Sequence, residues 1–230
     1  MKKILGDRNS PNSFVGSESE QSDDELIFRY KRPFDLAVLI VGHMLLSPLL
    51  ALFWLGIPVA IWLEDRGPVL FKQVRAGKGG REFTVYKFRT MVPDADVKGS
   101  HWTSDNDSRV TWVGSLLRRT GLDELPQTIN LFRGEMSFVG PRALPRQTHD
   151  EAVRTESRFK QRLRTTPGLA GLAQVYLPRY PSHRARLKYD LLYIKRATLL
   201  LDIRLLVWAA WYLLTGRWGK GKLGAGRSQG

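Results

Sequence analysis

LAVLIVGHMLLSPLLALFWLGIPVAIWL, residues 36–63, is the stretch on which the fold turns. Its 28 residues include no Asp, Glu, Lys or Arg. As a straight helix it extends roughly 42 Å, more than the ~30 Å hydrocarbon core of a bilayer. A soluble core helix of that length and purity is a poor match, so the segment is expected to enter a membrane. Pro48 follows Ser47 and Pro58 follows Ile57 within it. A proline inside a helix removes one hydrogen bond and crowds the preceding turn. The Ser47 hydroxyl can satisfy the freed carbonyl, which makes a kink tolerable in lipid.

The flanks bear on topology. Arg29, Lys31 and Arg32 precede the segment; Arg66, Lys72, Arg75, Lys78 and Arg81 follow it. Basic flanks favour the cytoplasmic side. A kinked single span leaves one flank on the wrong side. A re-entrant hairpin, bent at Ser47-Pro48 and returning to the same face, satisfies both.

The whole chain has 230 residues, 36 Lys plus Arg against 22 Asp plus Glu, a formal net charge of +14 and no cysteine. Without cysteine there is no disulfide framework, thiolate zinc site or Cys nucleophile. Residues 1–30 carry 4 basic and 6 acidic side chains; the remainder carries 32 and 16. The basic part calls for an anionic partner: nucleic acid, anionic lipid or a phosphorylated substrate. Residues 1–29 read as a disordered polar tail, 30–66 as the membrane helix region, 67–217 as the main folded domain and 218–230 as a basic tail.

Residues 69–91 hold two β-prone runs around Gly77-Lys78-Gly79-Gly80, a hairpin with a structural turn, since the Walker spacing and its helix are absent. Short helices are expected over 111–119 and 124–133, and an exposed helix over 143–163. A Pro/Gly-rich connector fills 166–181, and a long helix from Ser182 to Thr215 closes the fold. The clean apolar run 205–214 is too short to span, and with Trp208, Trp211 and Tyr212 it reads as an interfacial or core helix. The fold class is therefore α+β: a re-entrant membrane helix plus a small, mainly helical domain with a β-hairpin and interfacial amphipathic helices.

Acidic doublets recur, so adjacency alone carries no meaning. Asp123-Glu124 differs by context: it follows Arg118 and Arg119 and lies at a helix start, with Pro126 in the first turn. Asp123 suits an N-cap. The same geometry suits phosphate chemistry, because a helix N-terminus attracts phosphate oxygens. A carboxylate attacking a phosphate needs a divalent cation and arginines to neutralise it first; an Asp nucleophile then forms an acyl-phosphate. The loop Gly134 to Arg142 presents Arg142, either as a surface arginine or as an anion-binding one. His43, His101, His149 and His183 show no metal-ligand or triad spacing.

Lys31-Arg32-Pro33-Phe34-Asp35, Ser47-Pro48, Tyr86 to Met91, LDELPQTINLFRGEMSFVGPR at 122–142, Pro167-Gly168 with Gly171 and Gln174, and Tyr193 through Asp202 occur in order. Over about residues 30–215 the chain resembles the monotopic phosphoglycosyl transferases, the bacterial sugar transferases that act on undecaprenyl phosphate. The resemblance implies a re-entrant helix bent at Ser47 and Pro48 and catalysis at the cytoplasmic face of the bacterial inner membrane. It implies that Asp123 attacks the β-phosphate of a UDP-sugar, that UMP leaves, and that undecaprenyl phosphate then takes the phosphosugar from the enzyme. Glu124, with Asp123, is implied to hold Mg²⁺; Arg118 to meet phosphate; Arg142 to contact the nucleotide-sugar. The pathway implied is exopolysaccharide or glycoconjugate synthesis. The sugar is not legible, and a homo-oligomer is left open. Forms with extra amino-terminal spans exist in the family, so this chain is expected to be a minimal form.

The chain departs from the family pattern at Pro141-Arg142-Ala143, at Asn106-Asp107-Ser108-Arg109 and at Ala170 to Gln174. The last change bears on substrate preference. An alternative is a metal-dependent glycosyltransferase using Asp94-Ala95-Asp96 or Asp105-Asn106-Asp107, which releases UDP. A membrane-tethered nucleic-acid binder is the third reading, but no recognised nucleic-acid module is present, so no nucleic-acid partner is expected.

Overall fold

The structure is a computed structural model that describes residues 28–95, 107–178 and 181–215. The basic tail read at 218–230, and all of the amino-terminal tail except its last residues, lie outside them. Phe28, inside the stretch read as tail, is buried in a cluster with Val139, Tyr193 and Leu205.

Helix α1 (Lys31–Asp65) is one continuous helix, with Pro48 and Pro58 inside. At 35 residues it is long and apolar enough to cross a membrane, and only 6% of its most apolar window is buried. Pro48 lacks the N–H that would meet the carbonyl of Met44, and Ser47 Oγ donates to that carbonyl at 3.3 Å, as expected of the Ser-Pro pair. The buried residues of α1 lie at its two ends: Lys31, Asp35 and Leu39, then Ile57 and Ile61. Between them Met44, Leu45, Leu49, Leu52 and Leu55 are exposed.

The hairpin is present as expected: β1 (Leu70–Ala76) pairs antiparallel with β2 (Glu82–Phe88) through a short turn over 77–81. Side chains alternate across a strand. Phe83 and Val85 share a cluster with Leu39 of α1 and Leu131, whereas Phe88 joins Ile57, Ile61 and Leu117. Helix α2 (Trp112–Thr120) follows, capped by the Thr111 side chain and ended by Gly121 in the left-handed region at φ 70°. Its amino end also receives α1, because Glu64 Oε1 accepts from the backbone N–H of Trp112 at 2.8 Å.

The helix expected over 124–133 is instead a 3₁₀ turn (Leu122–Gln127) running into α3 (Thr128–Arg133). Pro126 sits inside the tight turn, where it has no N–H to give. Asp123 is therefore not the N-cap. Gly121 holds that position, with no side-chain cap, and Asp123 and Glu124 stand in the first turn.

A parallel pair that the sequence did not reveal follows: β3 (Ser137–Val139) beside β4 (Gly168–Ala170). Each is three residues long, too short for a periodic signature. The exposed helix expected over 143–163 is two pieces, α4 (Arg146–Thr155) and a 3₁₀ helix (Ser157–Arg164), broken where Glu156 is extended. Its Ala152, Phe159, Arg162 and Leu163 are buried. The connector holds α5 (Leu172–Tyr176) besides β4. The long closing helix is also two, α6 (His183–Arg196) and α7 (Leu199–Leu214), because Thr198 turns extended and its side chain caps α7 through Leu201 N–H. Along α7, Leu205, Ala209 and Tyr212 are buried while Leu200, Val207 and Trp211 are exposed, so its outward face is apolar too, not polar as an amphipathic helix requires.

The start of α1 is locked to this domain by charge. Lys31 Nζ lies 2.7 Å from Asp202 Oδ2 and donates to Val139 O at 2.6 Å, with both side chains buried. Tyr30 and Tyr193 donate to the same carboxylate at 3.0 and 2.7 Å. Asp35 accepts from Ser137 Oγ and Phe138 N–H, each at 3.0 Å.

Asp202→Ala leaves Lys31 buried without its counter-charge, so it should cost about 3–5 kcal/mol, read by denaturant unfolding in detergent. A second expectation concerns pH. Burial, then the charge of Arg162, lowers the His149 imidazole to about 4. The unfolded chain titrates near 6.5, so it binds the proton first as pH falls. Stability should therefore drop between about pH 6.5 and 4, and His149→Phe should flatten that part of the profile.

Candidate active site

Four elements meet around one pair of carboxylates. The 3₁₀ turn after α2 supplies Asp123 and Glu124. Strand β2 supplies Lys87, the loop after β3 supplies Arg142, and α2 supplies Arg118 from its last turn. Lys87 shares the strand face of Phe83 and Val85, so the face that enters the core also delivers a cation to the dyad. Arg75, opposite Phe83 in the hairpin register, lies on that face too.

Glu124 Oε1 accepts from Lys87 Nζ at 2.7 Å and from Arg142 Nη2 at 2.9 Å. Lys87 Nζ stands 3.9 Å from Asp123 Oδ2. Arg118 Nε donates to Thr90 Oγ1 at 2.8 Å. It still acts on Asp123 electrostatically, along with Arg142. The structure thus brings Asp123, Glu124, Arg118 and Arg142 to one place. Ser47 and Pro48 belong to the exposed middle of α1.

The two carboxylates differ although they are neighbours. Burial raises Glu124, but the charges and hydrogen bonds of Lys87 and Arg142 outweigh it and hold the carboxyl far below its usual range. Burial also raises Asp123; Lys87 opposes this and the Glu124 charge adds to it, and the net direction is upward. Lys87 itself is lowered, first by burial. One group is kept ionised and its neighbour is made more basic, the division of labour by which carboxylate pairs do acid, base and nucleophile chemistry.

Among the described residues no group of three or more His, Asp and Glu side chains gathers to cage a metal. Two adjacent carboxylates are nevertheless the donor set that Mg²⁺ takes from a protein when substrate phosphates and water complete the shell. Of the acidic triplets, Asp96, Asp105 and Asn106 lie outside the described residues. Asp107 is tied to Arg109, with Oδ2 2.7 Å from Nη2, and hydrogen bonds from Arg109 lower its carboxyl to about 2.

Sequence reasoning did not assign Lys87 or Arg75 to the site. The available signal was parity: each is a charge at a position whose strand neighbours two residues away or directly opposite are buried.

The cluster depends on close backbone contact. A Cβ on Gly114 would lie 2.1 Å from the Thr90 carbonyl oxygen. Gly114→Ala should push α2 off the strand end, costing about 1–3 kcal/mol and displacing Arg118 and the dyad. Thermal unfolding and turnover measured together should both fall.

Comparison with known proteins agrees with this geometry. The family model described as "Bacterial sugar transferase" matches residues 27–216. A UDP-N-acetylgalactosamine-undecaprenyl-phosphate N-acetylgalactosaminephosphotransferase of Aeromonas hydrophila is 38% identical over 81% of this chain and 44% of its own length. A UDP-glucose:undecaprenyl-phosphate glucose-1-phosphate transferase of Xanthomonas campestris pv. campestris is 40% identical over 76% of this chain and 37% of its own length. An exopolysaccharide production protein, PSS, of Rhizobium leguminosarum bv. phaseoli is 39% identical over 76% of this chain and 90% of its own length. The chain thus spans less than half of the first two relatives and nearly all of the third. With most of its length matched and its carboxylate dyad set among phosphate-suited cations, the chain belongs to the bacterial sugar transferase family.

Proposed function

We propose that the protein transfers a sugar 1-phosphate from a UDP-sugar to undecaprenyl phosphate and releases UMP, at the cytoplasmic face of a bacterial inner membrane. The observation that carries this reading is the Asp123-Glu124 pair, with Lys87 and Arg142 on Glu124. Relatives with undecaprenyl-phosphate sugar phosphotransferase names support it.

In this reading Asp123, the more basic carboxylate, is the nucleophile. Its oxygen attacks the phosphorus attached to the sugar, the bond from that phosphorus to the UMP oxygen breaks, and an aspartyl phosphosugar forms. An oxygen of undecaprenyl phosphate then attacks the same phosphorus and frees the Asp123 carboxylate. Arg142, Lys87 and Arg118 lower the charge repulsion that an anion meets on approaching a diphosphate. Glu124, with Asp123, would hold Mg²⁺, which supplies further neutralisation of the diphosphate when bound.

The lipid substrate calls for a membrane-embedded enzyme, and α1 is the embedded element. We read it as re-entrant, bent at Ser47-Pro48. Leu39 and Ile57 would be about 27 Å apart on a straight helix. They belong to two clusters that each include a residue of β2, Val85 in one and Phe88 in the other, and these lie about 10 Å apart along the strand. Basic residues on both flanks favour the same arrangement. Helix α7, with its exposed apolar face, then lies at the interface, residues 67–217 form the catalytic domain, and exopolysaccharide or glycoconjugate synthesis is the setting.

The second reading, metal-dependent transfer of the sugar alone through an Asp-x-Asp motif, rests on the acidic triplets at 94–96 and 105–107. The nucleotide product separates the two. UDP-glucose, UDP-galactose and UDP-N-acetylgalactosamine offered with undecaprenyl phosphate and Mg²⁺ should yield UMP. UDP as the sole nucleotide would select the second reading. Asp123→Asn should abolish both turnover and a trapped sugar-phosphate adduct. Probes placed before Arg29 and after Leu70 should both label from the cytoplasm; labelling from opposite sides would restore a single span.

A further inference from the structure

The loop that carries Arg142 is gripped by its backbone. Arg162 Nη2 donates to the Arg142 carbonyl at 2.8 Å, and Arg75 Nη1 donates to the next carbonyl, that of Ala143, at 2.6 Å. The two guanidinium groups come from different elements, the 3₁₀ helix Ser157–Arg164 and strand β1. Neither is anchored by the loop alone. Arg162 Nε and Nη2 lie 2.9 and 2.7 Å from Asp190 Oδ2, and the two side chains are 2% and 1% exposed. The Arg162 guanidinium also stands 4.9 Å from the centre of the Phe159 ring. Arg75 is held by Gln73 Oε1, at 3.2 Å from Nε and 2.8 Å from Nη2. The residue before the gripped pair is tied as well, since Gly168 N–H donates to Pro141 O at 3.0 Å.

A buried ion pair is a weak source of stability compared with apolar side chains of the same volume. The Arg162–Asp190 pair does something apolar residues cannot: Nη2 meets the carboxylate with one hydrogen and the Arg142 carbonyl with the other. A lysine can keep the charge pair but has no planar fork with which to reproduce that geometry. Ala143 has no ring to fix its own φ, so the orientation of the Arg142–Ala143 backbone falls to the two carbonyl bonds. That backbone aims the Arg142 side chain at Glu124.

We propose that Arg162, oriented by Asp190, and Arg75 are positioning residues that clamp successive carbonyls of the Arg142 loop and so set the Arg142 guanidinium for the nucleotide diphosphate. The proposal rests on Arg142 meeting the nucleotide, as read above. Misplacing a binding group by about 1 Å can cost as much as a hundredfold, so loss of a clamp should approach loss of Arg142 itself.

The test is the affinity for UDP with Mg²⁺, measured by calorimetry on the full chain in nanodiscs, which needs no knowledge of the sugar. Arg142→Ala should weaken UDP by about tenfold, and Arg162→Lys by a comparable factor. The double variant should be no more than about twofold weaker than Arg142→Ala, because both changes remove the same contact. A purely structural role for Arg162 would multiply the two losses. UDP binding by Arg162→Lys at the wild-type level, or multiplied losses in the double variant, would overturn the clamp while leaving the role of Arg142 intact. Unchanged binding by Arg142→Ala would overturn the reading of Arg142 and the clamp with it. Should Arg162→Lys not fold, as judged by thermal unfolding, Arg75→Met releases the other carbonyl from a partly exposed side chain, with the same pattern expected and the same results overturning it.

Discussion

The buried contact between Lys31 and Asp202 joins the two ends of the described chain. One residue opens the long apolar helix and the other lies in the first turn of the last helix. Their charges meet at 2.7 Å beside the Val139 carbonyl and two tyrosine hydroxyls. A charge pair in that setting must be fully hydrogen-bonded to be tolerable, and here the partners come from the start of α1, from β3, from α6 and from α7. Helix α1 is thereby fixed against β3 and α7, and the loop that leaves β3 is the one that carries Arg142. The long apolar helix and the candidate site are thus referenced to a single polar node.

A second set of opposed charges surrounds the Asp123-Glu124 pair. Glu124 is surrounded by cations and stays ionised; Asp123, one residue earlier, gains proton affinity from burial and from Glu124 itself. The difference arises from position on a tight turn, where Glu124 faces Lys87 and Arg142 and Asp123 touches Lys87 only at 3.9 Å. The same cations that hold Glu124 have the charge and geometry that suit phosphate oxygens. Arg162 and Arg75, further out, restrain the loop that delivers one of those cations.

Much of this was legible before any tertiary contact was known. The 28-residue uncharged run, the Ser-Pro pair with its carbonyl bond, the hairpin around Gly77 to Gly80 and the place of Asp123-Glu124 behind two arginines all follow from short-range pattern. Elements failed where local pattern and long-range contact conflict. The charged stretch 143–163 looks like an exposed helix, yet Arg162 is buried because Asp190, 28 residues on, neutralises it. Asp202 looks like an interruption of an apolar helix, yet it is wholly buried against Lys31. The 137–139 and 168–170 strands are too short for periodicity and exist only because each has the other. Lys87 and Arg75 were visible as charges but not as site residues, since their roles depend on which face of the hairpin meets the 3₁₀ turn.

The amino-acid sequence by itself determined the long apolar helix, the hairpin and the two adjacent carboxylates behind Arg118 and Arg119. Each of these depends on composition, spacing or backbone stereochemistry within a short window. Only the tertiary structure decided which cations reach Glu124, which buried acids are neutralised, where the helices break and how the Arg142 loop is held. Those outcomes depend on charges separated by up to 171 residues, and a charge acquires its partner and its cost only when folding removes it from water.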